Sequence, residues 1–290
     1  MHTIVFAGLC GGADNFVCSP PEALSWSNRR LLILEEILVV DPDVLCMQEV
    51  DHFSYFEQLL GKVGYAGKFF PKPSSPCLDY AHSNGPDGCA MFYKVDQLEL
   101  LSCDTIVLQQ NQLDTNQVSI MSNFKCRQSS AGGGGVQQRE FTVATTHLKA
   151  KAGYHQLRLA QGLDLLERLR RFSADRPVLL CGDFNAPPTE AIVQALGADA
   201  SGLRSVYKEL SDDGVTETAY TTWKIRGGKR PGEQNVDTCT TIDYIWCDRV
   251  KVDVEALLSI PSEQDIGPRR LPSCSYPSDH LSLAAIVTFH

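Results

Sequence analysis

The sequence predicts an α/β fold of the sandwich or barrel type, on three observations. Short segments such as Val44–Met47, Phe141–Thr146, Val178–Cys181 and Leu283–Phe289, most of them apolar and bounded by turn residues, read as strands. Longer stretches between some of them carry apolar residues at helical spacing. With 290 residues, 43 % of them hydrophobic, the chain can bury a large core as a single domain, residues 1–290.

Composition narrows the function classes. No run of 18 or more apolar residues occurs, so no helical membrane span is expected. The N-terminus lacks a basic region followed by a clean apolar stretch, so no signal peptide is expected. Eleven cysteines without a CxxC pair fit a reducing compartment, which points to a cytoplasmic protein. A net charge of −9 argues against a broad basic nucleic-acid surface but leaves room for a small basic pocket.

In chain order, residues 2–7 read as a strand and 8–14 as a loop. Ser19-Pro20-Pro21-Glu22 reads as a helix start with Ser19 as N-cap, and the helix continues to about Val40 with Leu31, Leu34, Ile37 and Leu38 on one face. Asp41-Pro42-Asp43 ends it, and the Val44 strand follows. A short helix over 55–63 precedes a strand through Lys68-Phe69-Phe70 and a long loop, residues 71–88. Strands are expected at 89–93, 98–108 and 118–126, then a flexible glycine-rich insertion at 128–138. After the Phe141 strand comes a helix over 154–172, with Leu159, Leu163, Leu166 and Leu169 on one face. A helix follows the Val178 strand at 189–196. A strand begins at Thr221, a polar loop fills 227–238, and Thr241–Trp246 is a strand holding Asp243 inside it.

The chemistry-bearing residues cluster at strand ends. Pro177-Val178-Leu179-Leu180-Cys181-Gly182-Asp183-Phe184-Asn185 ends with a carboxylate and a carboxamide two positions apart, which an extended chain points to one face. A turn in which both only bond nearby backbone is the alternative. Glu49 directly follows apolar residues; it is a ligand for a hard cation or a partly exposed strand-end carboxylate. His147 ends its strand beside Lys149 and Lys151, with a catalytic or a structural reading open. Lys72, between two prolines, is prepositioned for an anion or simply solvated. Arg158 lies near the entrance, to hold phosphate or to line a solvated helix face. Burying Asp243 alone would be costly, and His280, in Ser278-Asp279-His280, supplies the partner that fixes the imidazole. No G-x-S-x-G nucleophile motif is present. Glu49, His147, Asp183, Asn185, Asp243, Asp279 and His280 together suit Mg²⁺-assisted hydrolysis of a phosphoester by water. Asp183, held by Asn185, would orient or deprotonate the water, and His280 and His147 would donate to phosphoryl oxygens.

The motifs QEVD, THLK, GDFN, TIDYIW and SDH, in this order and spacing, resemble the endonuclease/exonuclease/phosphatase superfamily. The longer segments DNFVCSPPEAL, FFPKPSSPCLD, NGPDGCA, YTTWKIR and YPSDHLSL resemble its deadenylase-like branch over about residues 14–290. That resemblance implies a four-layer α/β sandwich, two mixed β-sheets packed face to face with helices on both outer faces. It implies Mg²⁺ (or Mn²⁺) held by Glu49, with Asp183, Asn185, Asp243, His280 and His147 catalytic. Lys72, Asn84, Lys149, Lys151 and Asp279 are then the candidate phosphate-binding residues. For activity it implies removal of the 2′-phosphate of NADP⁺ or NADPH, with poly(A)-specific 3′-exoribonuclease activity on RNA and a non-catalytic binding protein as alternatives. The branch is associated with circadian metabolism, in cytosol and, for longer forms, mitochondria. Two departures stand out. The family's first strand ends in Trp-Asn, absent here before Asn15, so this chain is expected to start at an unusual point and to turn substrate over poorly. Lys151 stands where the family commonly has Arg, which keeps the charge but loses a bidentate grip.

Overall fold

Strict alternation of side chains along the strands decides the layering. Val44 and Cys46 pack inward against the opposite sheet, while Leu45 and Met47 pack against helices. The protein is seen here as a computed structural model that describes residues 2–7, 15–79, 83–127, 139–209, 211–228, 230 and 232–290. Its strands are β1 (His2–Ala7), β2 (Val44–Val50), β3 (Tyr65–Pro71), β4 (Gly88–Lys94), β5 (Leu98–Gln110), β6 (Leu113–Cys126), β7 (Glu140–His147), β8 (Val178–Asp183), β9 (Leu203–Ser205), β10 (Thr222–Arg226), β11 (Val236–Thr240), β12 (Asp243–Asp248), β13 (Val252–Leu257) and β14 (Leu283–Phe289). The helices are α1 (Pro21–Leu24), α2 (Trp26–Val40), α3 (Phe53–Gly61), α4 (His155–Ser173), α5 (Ala191–Gly197), α6 (Val206–Glu209) and α7 (Glu263–Ile266).

Two six-stranded sheets form, ordered β13-β14-β1-β2-β4-β3 and β5-β6-β7-β8-β12-β9. Each is antiparallel except for one central parallel pair, β1–β2 in the first and β7–β8 in the second. Between them lies a core that includes Val44, Met91, Phe124, Phe141, Leu179 and Ile245. Helices α2 and α3 cover the outer face of the first sheet through Ile33, Ile37, Phe56 and Leu60. Helices α4 and α5 cover the second through Leu165, Leu169, Ile192 and Leu196. This is the four-layer sandwich that the sequence implied. A separate ribbon, β10–β11, stands beside it.

Several local expectations change. The first helix is two, broken at Ser25; Pro20 occupies the N-cap of α1, so Ser19 does not cap it. The buried face of α2 is Arg29, Ile33 and Ile37, and Leu31 is 58 % exposed. Along α4, Leu163 is exposed and Leu165 takes its place in the core. Asp243 opens β12 instead of lying within a strand, and β11 begins inside the expected 227–238 loop. The expected 8–14 loop and 128–138 insertion lie outside the described residues. No described helix is long and apolar enough to cross a membrane.

Candidate active site

Strand register assembles the site. In the second sheet, parallel β7–β8 pairing sets His147 opposite Asp183, and antiparallel β8–β12 pairing sets Asp183 opposite Asp243. Three adjacent strand ends thus hold a row of three polar side chains. Glycine makes the row possible: at Gly182 φ is +150°, and an added Cβ would lie 2.0 Å from the carbonyl oxygen of Thr146. From the first sheet, β2 contributes Glu49. Its pairing with β4 shifts register between Met47 and Val50, and Glu49 takes φ 54°.

Asp183 and Asn185 meet, though not as an extended pair. Asn185 is left-handed (φ 50°), so a tight turn returns its backbone N–H to Asp183 Oδ1 at 2.7 Å and its amide to Oδ2 at 3.2 Å. The same amide donates to the Leu148 carbonyl at 3.1 Å. Burial first, then Asp243, pushes the Asp183 carboxyl well up, with the Asn185 N–H working the other way.

Asp243 and His280 do form a buried pair, with Nδ1 2.9 Å from Oδ2. Thr221 donates its hydroxyl to the same carboxylate at 2.5 Å. Burial pushes the His280 imidazole down, but Asp243 outweighs it and the ring is pushed up to about 9. Lys224, 3.1 Å from Nε2, opposes that proton, while Asp279 supports it. Burial, then Lys72, His280 and Lys149, drives His147 well below its ordinary value, so it is neutral. Its Nε2 lies 3.8 Å from Glu49 and 3.7 Å from Asp183, and its Nδ1 has no hydrogen-bond partner among the described residues.

The remaining candidates separate. Lys72 is not solvated: its ammonium is 2.6 Å from Asp87, which Ser75 also bonds. Glu49 and Asp87 outweigh burial to raise its proton affinity. Lys149 lies half-buried over the Tyr154 ring at 5.1 Å. Lys151 is exposed. Asn84 is exposed and forms no hydrogen bond among the described residues. Asp279 is itself occupied: it accepts from Lys224, with Arg226 at 3.5 Å, which holds its carboxyl well below the usual range against burial. Asp279 is therefore already engaged by these two cations. Arg158 is corrected too, being 4 % exposed and fully bonded to protein. Sequence reasoning missed Lys224 and Arg226, although their i, i+2 spacing in the YTTWKIR strand was a readable signal. It also missed Asp87 and Thr221, which had none.

A hard divalent cation fits this donor set. The Glu49 carboxylate is 30 % exposed and accepts no hydrogen bond among the described residues. Burial, partly offset by Lys72, pushes it up to about 7, the mark of an anion short of positive partners. Asp183, Asp243 and His280 also offer ligand atoms within 4.8 Å of one another, although each already has protein partners.

A two-sheet sandwich with carboxylates and imidazoles at its strand ends defines a phosphoesterase or nuclease type of hydrolase. The sequence profile of the Endonuclease/Exonuclease/phosphatase family matches residues 9–280, and the chain belongs to that family. Within the family it is similar to Nocturnin. It is 48 % identical to Nocturnin of Mus musculus over 99 % of this chain and 64 % of that protein, so it spans about two-thirds of that relative's length. With Nocturnin of Xenopus laevis it is 47 % identical, over 99 % of this chain and 71 % of the relative. The structure of the human Nocturnin catalytic domain with bound sulfate anion superposes with a TM-score of 0.79 at 38 % identity, covering 100 % of this chain and 94 % of that one.

Proposed function

We propose that the chain is a Mg²⁺-dependent phosphoester hydrolase that removes the 2′-phosphate of NADP⁺ or NADPH, giving NAD⁺ or NADH. One observation carries the choice of a small substrate. Most cations around the cleft already face a carboxylate: Lys72 pairs with Asp87, and Lys224 and Arg226 share Asp279. Of the cleft cations, Lys149 and Lys151 have no acidic partner among the described residues. That suffices for a phosphate but not for a strand of RNA, whose affinity comes from many neutralised phosphates. The sulfate held by the human relative is consistent with an anion pocket in this fold.

The metal, held by Glu49, would supply positive charge to the phosphoryl oxygens. The chain's own residues do the rest. Asp183, fixed by the Asn185 turn, orients the attacking water and takes its proton as the new P–O bond forms and the bond to the 2′-oxygen breaks, the departing 2′-alkoxide taking a proton from solvent water. His280, kept protonated by Asp243, and neutral His147 each donate an N–H to the phosphoryl oxygens as charge builds there. Lys149 and Lys151 fix the phosphate before reaction.

Phosphate release from NADPH, measured beside shortening of an A-tract oligonucleotide, tests this. Saturable phosphate release with little A-tract shortening is expected. Efficient stepwise shortening without phosphate release from NADPH would overturn it.

A further inference from the structure

Arg158 sits on the first turn of α4 and is 4 % exposed. Its guanidinium makes four bonds to two different loops. Nε and Nη2 donate to the two oxygens of Glu190 at 2.7 and 2.8 Å. Nη1 donates to the carbonyls of Lys149 and Lys151, both at 2.9 Å. Those carbonyls belong to the loop that follows His147, and Glu190 lies on the loop that follows Asp183 and Asn185. One side chain therefore ties the two loops of the site together.

Three neighbouring facts show that the tie is built. Lys151 has φ 79°, a left-handed conformation costly for a residue with a side chain, so its carbonyl needs an anchor. Glu190 stands at the N-cap of α5 yet makes no side-chain cap, because its carboxylate is turned to Arg158. Three residues along α4, Gln161 accepts from the Lys149 N–H at 3.1 Å, fixing the other side of the same peptide segment. No lysine could replace the arrangement, since a point ammonium cannot span a carboxylate and two carbonyls in one plane.

We infer that Arg158 is a positioning residue for phosphate binding, acting through the backbone of Lys149 and Lys151 and locking that loop to the Asp183–Glu190 loop. This rests on the proposed function only in that the two lysines meet the substrate's phosphate. The bonds go to the lysine carbonyls and not to His147, so the effect belongs in KM more than in kcat.

The test separates position from stability. In the double variant Arg158→Met/Glu190→Leu the buried charges leave together, so no uncompensated ion remains. It is expected to melt near wild type, with KM for NADPH raised about tenfold or more and kcat changed less than threefold. Glu190→Gln keeps Arg158 on both carbonyls and is expected to lose stability while KM stays near wild type. A double variant with wild-type KM, or one that loses kcat and KM together, overturns the inference. If the double variant does not fold, Arg158→Lys, which keeps a cation beside Glu190 but not the fork to both carbonyls, decides: a raised KM with kcat near wild type supports the inference, and an unchanged KM overturns it. If the wild type releases no phosphate from NADPH, the proposed function fails, and calorimetric binding of inorganic phosphate decides this point alone. Weaker binding in the stable double variant supports the tie, and equal binding overturns it.

Discussion

Replacing Asp243 with Asn separates charge from shape at the centre of the site. The amide retains an oxygen for the imidazole of His280 but removes the charge that offsets burial and holds the ring at about 9. The rise from 6.5 to about 9, at 1.36 kcal/mol per pH unit, corresponds to roughly 3 kcal/mol. Because the folded-state value is raised, that contribution is complete below pH 6.5 and is lost as pH climbs through about 9. At pH 7.5 a group titrating near 9 is roughly 97 % protonated, and one at 6.5 or below at most about 10 %. Asp243→Asn should therefore lose at least about tenfold in kcat at pH 7.5. Phosphate release from NADPH between pH 5 and 10, with melting curves at the same pH values, measures both effects. The alkaline limb should move from about 9 in the wild type to 6.5 or below in the variant. A variant whose profile keeps the wild-type shape, at whatever rate, refutes the claim that Asp243 maintains a His280 imidazolium.

Other perturbations read other parts of the site. Glu49→Ala should abolish Mg²⁺-dependent turnover while its melting temperature stays near wild type; full activity in that variant, or in excess chelator, would remove Glu49 as the ligand. Gly182→Ala forces a Cβ against Thr146 and a strained φ, so a loss of about 3 kcal/mol or more is expected, visible as a melting temperature lower by roughly 5–10 °C. Lys151→Arg restores a planar fork where the chain has a point charge, and KM for NADPH should fall several-fold; an unchanged KM would show that residue 151 does not reach the phosphate. Raising salt from about 50 to 200 mM should change KM for NADPH by only a few-fold, because few phosphates are engaged; a change of a thousandfold would indicate a polyelectrolyte substrate.

Where a residue's role depends on its own strand, the sequence was readable. Val44–Met47 is apolar without interruption and Leu283–Phe289 nearly so, and both strands form. Glu49, Asp183 and His147 stand at the ends of such strands, and the strands deliver them to one edge. The Asp243–His280 pair was also legible, because a carboxylate beside an apolar run has to find a partner. What escaped depended on contacts between distant segments. Ionic matching of Lys72 to Asp87, and of Lys224 to Asp279, leaves no periodic trace. Arg158 looked like an entrance residue because helical spacing cannot tell a solvated arginine from one bonded to two loops. The helix faces of α2 and α4 were misplaced for a related reason. Leucine occurs on both sides of each helix, and only the sheet beneath decides which side is covered.

Glu49 rises from one sheet, and His147, Asp183 and Asp243 rise from the other. A bound ion or phosphate that touches both rows acts as a fastener across the slit between the sheets. Such a ligand raises the resistance of the whole sandwich to heat by mass action, about 2.7 kcal/mol at a hundred times its dissociation constant. Melting temperature thus becomes a binding assay that needs no turnover. It can rank Mg²⁺, Mn²⁺, inorganic phosphate and NADPH on the same protein sample, including variants too slow to follow by product release.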